Sequence, residues 1–326
     1  MRLALGLSAL VVVLFIGSLI SGYSQVPPWR ALGALFADDG TPVTIVMREI
    51  RLPRALLAVM VGASLGLSGA ALQGYLRNPL AEPGLIGVSG AAALGAVLAI
   101  QTGLSLSFAL ALPLAALGMA VLAVLLILAL AGPRGASITL ILAGIAISAL
   151  ASALTSLVLN LSPNPFAAAD IVFWMMGSLA DRSFAHVWLA LPFMAIGWAL
   201  LASVGRGLNA LTLGEDAAQA MGINLRALRL RLILGTAACV GAATAVAGAI
   251  GFVGLVVPHL LRPLVGARPS ALLWASALGG AAMVLAADIA VRELLPDRDL
   301  KLGVLMALVG APLFLHLIYK TRKEMA

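Results

Sequence analysis

The chain has 326 residues, 62% of them hydrophobic and only 10% charged, with a mean hydropathy of +1.11, whereas a soluble domain of ordinary composition is about half apolar and a quarter charged. A chain of this kind belongs in a membrane: its roughly 200 apolar residues suffice for about ten spanning helices of about 20 residues each, and no soluble catalytic domain fits between them. The 20 Lys and Arg, set against 13 Asp and Glu, stand singly between apolar runs with no basic stripe, which excludes nucleic acid as a partner.

The first apolar run, residues 3–20 behind Arg2, is too long for the hydrophobic region of a typical signal peptide, and no A-x-A site follows it, so it reads as an uncleaved first span. Further runs centre on residues 54–75, 84–100, 108–131, 138–161, 187–204, 232–250, 254–265, 271–291 and 302–319. Residues 254–265 are too few to cross alone. They are bounded by Gly251, Gly254, Pro258 and Pro263, which predicts a broken or partial span, tolerable only where neighbouring protein satisfies the freed backbone groups.

Ten spans put both termini on one side, and the tail Lys320-Thr321-Arg322-Lys323 nominates that side as cytoplasmic. Loops then carry twelve bases inside and eight outside. The outer cluster Arg48-Glu49-Ile50-Arg51-Leu52-Pro53-Arg54 runs against the positive-inside rule and asks for a functional explanation. Arg51 and Arg54, at i and i+3, share a helix face. They suit either acidic groups on an arriving partner or lipid headgroups and the chain's own acids. Two stretches also repeat at an offset of 179: Gly62-Ala63 and Gly69-Ala70 recur as Gly241-Ala242 and Gly248-Ala249, with Pro79 falling on Pro258. Inverted duplication and chance both account for this in a chain with 34 Gly.

The longest polar interruption is residues 205–231, on the cytoplasmic side of this map. Within it Gly214 ends a helix, Glu215 and Asp216 favour a new N-terminus, Ala217 to Met221 form one short helix and Gly222 stops it. The segment suits docking into a groove of a soluble partner, or is a solvated loop. Asp288, inside an apolar run, is a candidate for a proton pathway, yet Arg292 follows four residues later in the favourable acid-before-base order, which favours a structural ion pair. Gln73 and Asn160 read as interhelical hydrogen-bonding groups, and Gly62-x-x-x-Gly66 as a close helix contact.

Cys239 is the single cysteine, and His186, His259 and His316 are too far apart for a ligand motif, so neither metal ligation nor a cofactor is expected. No G-x-x-x-x-G-K-[ST] loop occurs, so any ATP used is bound elsewhere.

Several long stretches, in order, resemble the FecCD-type permeases, the membrane subunits of ABC importers for ferric siderophores, haem and vitamin B12. They are Arg51-Leu52-Pro53-Arg54, Ser68-Gly69-Ala70-Ala71-Leu72-Gln73, and Arg77-Asn78-Pro79-Leu80-Ala81-Glu82-Pro83-Gly84-Leu85-Ile86-Gly87-Val88-Ser89. Then come Leu213-Gly214-Glu215-Asp216-Ala217-Ala218 through Met221-Gly222, Gly251-Phe252-Val253-Gly254-Leu255-Val256-Val257-Pro258-His259, Ala287-Asp288 and Gly310-Ala311-Pro312. The resemblance implies an all-α polytopic permease of type II ABC importer architecture, one transmembrane domain over residues 1–326, multi-pass in a bacterial inner membrane with both termini cytoplasmic.

The implied partners are a second copy of the chain, two ATP-binding cassette subunits on the cytoplasmic face, a periplasmic substrate-binding protein, membrane lipid and a metal-chelate cargo. By the same resemblance, Gly214, Glu215, Asp216, Ala217, Ala218, Met221 and Gly222 form the coupling helix. Arg51, Arg54 and Arg292 meet acidic residues of the binding protein. Asn78 and Leu80 match a cytoplasmic gate, and Ser137 before Leu140-Ile141-Leu142-Ala143-Gly144 matches a second gate loop. One departure stands out: many relatives carry Glu-Leu-Pro-x-Gly before the last span, and this chain has Asp299-Leu300-Lys301-Leu302-Gly303. An iron chelate ranks first as cargo, with the Ala81-Glu82-Pro83-Gly84-Leu85 phrase leaning toward the B12 branch. The rival reading is a proton-coupled secondary transporter working through Asp288.

Overall fold

A computed structural model describes residues 2–22, 27–37, 39–131, 137–294 and 300–325. Among these, every regular element is helical: α1 (Arg2–Ile20), α2 (Pro28–Ala34), α3 (Pro42–Ile45), α4 (Leu52–Leu76), α5 (Val88–Gln101), α6 (Ala111–Ala131), α7 (Ser137–Asn160), α8 (Pro165–Met175), α9 (Phe184–Ser203), α10 (Gly205–Leu211), α11 (Glu215–Ala220), α12 (Leu225–Ala247), α13 (Val253–Leu261), α14 (Pro269–Leu294) and α15 (Leu302–Met325). Many start on local chemistry that needs no tertiary help. Proline opens α2, α3 and α8, where its missing N–H costs nothing. Side-chain oxygens of Thr41, Asn164 and Asn224 accept the first free N–H groups of α3, α8 and α12.

Among the described residues seven helices are long and apolar enough to cross a membrane, and Val88–Gln101, Pro165–Met175 and Leu302–His316 are shorter apolar helices. The total of ten agrees with the sequence, but the membership does not. The nine-residue α13 is the broken span that the glycines and prolines predict. The eleven-residue α8 falls in none of the expected runs, being short and interrupted by Asp170. The expected run from residue 84 also begins late, because Pro83–Ile86 form a 3-10 turn and Gly87, at a φ of 80°, redirects the chain into α5.

The central contact is α4 against α14, antiparallel and close enough for backbone to touch backbone. A Cβ on Gly62 would strike the Gly280 carbonyl, and one on Gly66 the Ser276 carbonyl. Lipid supplies no hydrophobic drive between helices, so small residues that permit such approach carry the association. Around this pair α5, α6, α9, α12 and α13 complete one large core that includes Leu57, Val61, Ile127, Met194 and Leu285. A second core, under α10 and α11, is built from Leu67, Leu201, Leu208, Leu211, Leu228 and Leu273.

The end of α12, the end of α8 and the start of α15 meet in a seam of bare backbone. Ser178 N–H donates to the Ala247 carbonyl at 2.8 Å and Gly303 N–H to that of Gly177 at 3.3 Å. Gly177, Gly248 and Gly303 each lie against a neighbouring carbonyl where a Cβ has no room. These bonds satisfy groups freed where α12 breaks before α13, as any non-helical backbone at membrane depth requires.

Candidate functional site

Three places gather the polar residues that an apolar bundle otherwise excludes. The first is the corner where α1 ends. The chain enters α4 through a π-helical turn, Val46–Arg51, a geometry often found at functional positions, and it places Arg51 and Arg54 beside α14. Asp288, fully buried on α14, accepts from Arg54 Nε at 2.9 and 3.2 Å and from Arg54 Nη2 at 2.8 Å. It also accepts from Arg292 Nη2 at 3.0 Å. The i, i+4 pair read from the sequence is present, and Arg54, 234 residues away in sequence, joins it.

Arg292 further donates to the Ser18 and Ser21 carbonyls at 3.0 and 3.1 Å and to Ser18 Oγ at 2.7 Å. Arg51, only 7% exposed, donates through Nη1 to the Leu19 and Ile20 carbonyls at 2.9 and 3.0 Å. The last carbonyls of a helix lack intrahelical partners and carry partial negative charge. Two arginines from two other helices therefore cap α1. Arg51 is turned into the protein, not outward as a surface cation. Of the alternatives the sequence leaves open for this cluster, Arg54 here meets one of the chain's own acids, Asp288. Arg48 donates to the Ala37 carbonyl at 3.1 Å. Beside it Asp39 accepts from Thr44 Oγ1 at 2.6 Å and from Thr41 N–H at 3.1 Å. The Thr44 and Thr41 hydrogen bonds hold the exposed Asp39 carboxyl below its ordinary value of 3.8.

The second place is the re-entrant segment after α4. Arg77, at a φ of 50°, ends the helix, and Asn78 folds the next turn on itself by accepting the Leu80 N–H at 2.9 Å. Asn78 and Leu80, the gate residues implied by resemblance, are thus one compact turn. Ser137 begins α7, and its side chain lies outside the described residues. Behind the turn stands a clasp. Gln73, buried in the last turns of α4, donates to the carbonyls of Ala81, Gly254 and Leu255 at 3.3 to 3.4 Å and accepts from Arg262 Nη2 at 2.6 Å.

Glu82 completes the clasp by accepting the Phe252 N–H at 3.1 Å. Phe252 precedes α13 with a φ of 68°, so the carboxylate caps a half-helix at its positive end. Its phenyl ring fills the space that a Cβ on Gly310 of α15 would need. A cavity of about 110 Å³ lies beside Glu82, lined also by Ser89, Thr244 and Phe252. Glu82 and Arg262 carry no spacing signal, because their partners lie 170 and 189 residues away in sequence; Gln73 alone was legible as an interhelical hydrogen-bonding residue.

The third place is the elbow at the opposite end of the bundle. The short helix expected between Gly214 and Gly222 is α11, with Glu215 and Asp216 in its first turn and Met221 following its last residue. Gly214 and Gly222, at φ 104° and 79°, have open space around them, so they are glycine for conformation alone. An additional helix, α10, precedes α11. Asn209 on α10 exchanges two hydrogen bonds with Ser270 at the head of α14, at 2.9 and 3.0 Å.

Ala218 roots α11 in the second core at zero exposure, while Leu213 and Met221 stand 69% and 58% exposed, with Glu215 and Asp216 also exposed. Apolar side chains projecting from a rooted, polar-edged elbow are the makings of a docking surface.

Of the departure before the last span, Asp299 lies outside the described residues, and the Lys301 ammonium stands 5.5 Å from the centre of the Phe173 ring on α8, a cation–π distance. Among the described residues no group of three His, Cys, Asp or Glu could hold a metal ion.

The model of the FecCD transport family matches residues 10–320. The hemin transport system permease protein of Yersinia pestis is 39% identical over 329 residues, covering 99% of this chain and 97% of its own. The vitamin B12 import system permease protein of Klebsiella pneumoniae is 37% identical over 325 residues, covering 98% and 94%. A solved ABC transporter structure, described as metal-chelate type and inward-facing, superposes with a TM-score of 0.86 at 36% identity over 98% of this chain and 99% of that one. With a superposable helical bundle and a family match over residues 10–320, the chain belongs to the FecCD transport family and is a multi-pass membrane permease subunit.

Proposed function

We propose that this permease, as a homodimer in a bacterial inner membrane with both termini cytoplasmic, lines the path by which a periplasmic binding protein's cargo enters the cell. ATP is hydrolysed by two separate cassette subunits docked on the cytoplasmic elbows, and residues 1–326 act as one transmembrane domain. The cargo is a metal chelate, a ferric siderophore or haem first and cobalamin second. The chain makes no bond to the metal, which the chelator already ligates. The observation that carries this reading is the elbow: α11 is rooted by Ala218 and offers Leu213 and Met221 to solvent, in a chain that matches importer permeases end to end. Gly214, Glu215, Asp216, Ala217, Ala218, Met221 and Gly222 are then the coupling helix, and the Asn78–Leu80 turn, with Ser137, the cytoplasmic gate. Arg51, Arg54 and Arg292 form the outer corner at which the binding protein docks.

The secondary-transporter alternative needs Asp288 to pass a proton to and fro. Its carboxylate is engaged by two guanidiniums, the arrangement of a structural ion pair. The test of the elbow is co-purification of the permease with its cassette subunit. The wild-type pair should survive size exclusion, and the double reversal Glu215→Lys with Asp216→Lys should separate it while the permease alone elutes unchanged. An undiminished complex in the reversed variant would refute the assignment of α11.

A further inference from the structure

Phe252 holds a conformation that it would not keep by itself. Its φ of 68° lies in the left-handed region, a strained state for a bulky residue that persists only where the surroundings enforce it. Two contacts do so. Glu82, 170 residues away in sequence, accepts the Phe252 N–H at 3.1 Å, and the ring is seated on Gly310 of α15, where a Cβ would strike it. The cavity of about 110 Å³ beside Glu82 also opens on Phe252, so there is room for the ring to leave that seat.

Glu82 is in turn joined to the elbow. Its chain neighbour Ala81, fully buried, lies in the same core as Ala218 of α11, together with Leu72, Leu208 and Leu211. One contiguous path therefore runs from α11 through that core to Ala81 and Glu82, across the hydrogen bond to Phe252, and through its ring to α15. Packed side chains and hydrogen bonds carry coupling where an element along them has two arrangements. Phe252, strained and next to a cavity, is that element. Gln73 makes a different tie: it holds the carbonyls of Gly254 and Leu255 to the end of α4, which fixes the body of α13 and leaves the Phe252 N–H to Glu82.

On the reading that the turn at residues 78–80 is the cytoplasmic gate and that α11 receives the cassette subunit, we propose that Glu82 is a positioning residue of the transport cycle. It acts through Phe252. By holding the Phe252 N–H it keeps the ring on Gly310, so that movement arriving from the elbow reaches α15 together with the gate turn. The carboxylate suits this task as a hydrogen-bond acceptor and as a negative charge at the positive end of α13. Glutamine in its place keeps the acceptor and loses the charge, whereas alanine loses both.

The test uses the permease–cassette complex in nanodiscs, with a bimane fluorophore on Arg77→Cys beside the gate turn or on Tyr319→Cys in α15. Both native side chains are exposed, and Cys239 is fully buried and stays unlabelled. Emission is compared without nucleotide and with a non-hydrolysable ATP analogue. In the otherwise wild-type complex both probes should shift. Glu82→Ala should leave the shift at residue 77 and cut the shift at residue 319 roughly tenfold. Phe252→Ala, which keeps the hydrogen bond and removes the ring, should do the same, and Glu82→Gln should retain most of the shift at residue 319. Lost stability alone would not silence one probe and spare the other.

If residue 319 keeps its shift in Glu82→Ala or in Phe252→Ala, the proposal is overturned, while the gate reading stands on residue 77. If Glu82→Gln silences residue 319 as fully as Glu82→Ala does, the hydrogen bond is not what sets Phe252, and the proposal is again overturned. If residue 319 shifts only with Glu82 intact and residue 77 never shifts, the link stands and the turn at residues 78–80 is not the gate. If neither probe shifts in the otherwise wild-type complex, both readings fall. Should Glu82→Ala give no monodisperse complex, Phe252→Ala decides.

Discussion

The outer corner and the cytoplasmic elbow are both polar breaks in an apolar bundle, yet they are built on opposite plans. At the corner, charged groups are drawn inward and consumed: Asp288 is fully buried, Arg292 uses every donor, and Arg51 caps a helix end. In the elbow's α11 a single residue, Ala218, is buried, and Leu213, Met221 and the acids around it are left facing out. The difference teaches where each region's energy resides. Corner residues hold the fold and act on a partner only through whatever donor remains. Elbow residues hold little and are free to bind.

That contrast breaks first where the corner depends on the helix clasp beneath it. Gly66→Leu drives a side chain into the Ser276 carbonyl and should part α4 from α14, costing about 4 kcal/mol or more; fluorescence-detected size exclusion should show no monodisperse permease. Next, Asp288→Asn leaves Arg54 and Arg292 facing a neutral group, and should cost about 3 kcal/mol of stability without making uptake depend on a pH gradient. A variant that unfolds at the wild-type temperature would mean that the pair is not structural.

At the elbow the same scale of change should barely touch stability. Glu215→Lys with Asp216→Lys should alter the permease's own stability by about 0.5 kcal/mol or less, and Gly222→Val by about 1 kcal/mol through its positive φ. Both should abolish cargo-stimulated ATPase activity in the reconstituted complex. An elbow variant that loses the fold before it loses coupling would erase the distinction between the two regions.

The smallest effect belongs to Asp39. Its folded-state pKa lies below 3.8, so its contribution to stability is full above that value and fades as pH falls through the lower folded one. Asp39→Ala should therefore lower the thermal midpoint slightly at pH 7, by a deficit that shrinks as the pH is taken below 3.8. A deficit that acid leaves unchanged would show that packing, not the carboxylate, is responsible.

Much of this was legible in the sequence because it is local. Hydropathy marks the long spans, Gly214 and Gly222 bracket α11, and Asp288 and Arg292 are one helical turn apart. What escaped is either short or distant. At eleven residues α8 is half a span and carries Asp170, so no apolar window of spanning length marks it. The network around the outer arginines could not be read in the sequence because its organising contacts join Arg54 to Asp288 and Arg292 to Ser18, across 234 and 274 residues. The clasp of Gln73 and Glu82 on α13 is hidden for the same reason, since its acceptors and donors are largely backbone groups that look alike in every sequence.

The most direct test of the account is uptake into proteoliposomes holding the permease, its cassette subunit and the binding protein, loaded with a ferric chelate and energised in two ways. The account predicts accumulation when ATP is enclosed with the cassette subunits and none when only a proton gradient is imposed, with Glu215→Lys, Asp216→Lys abolishing the ATP-driven signal. Uptake that follows the proton gradient without ATP, and that Asp288→Asn removes, would contradict it.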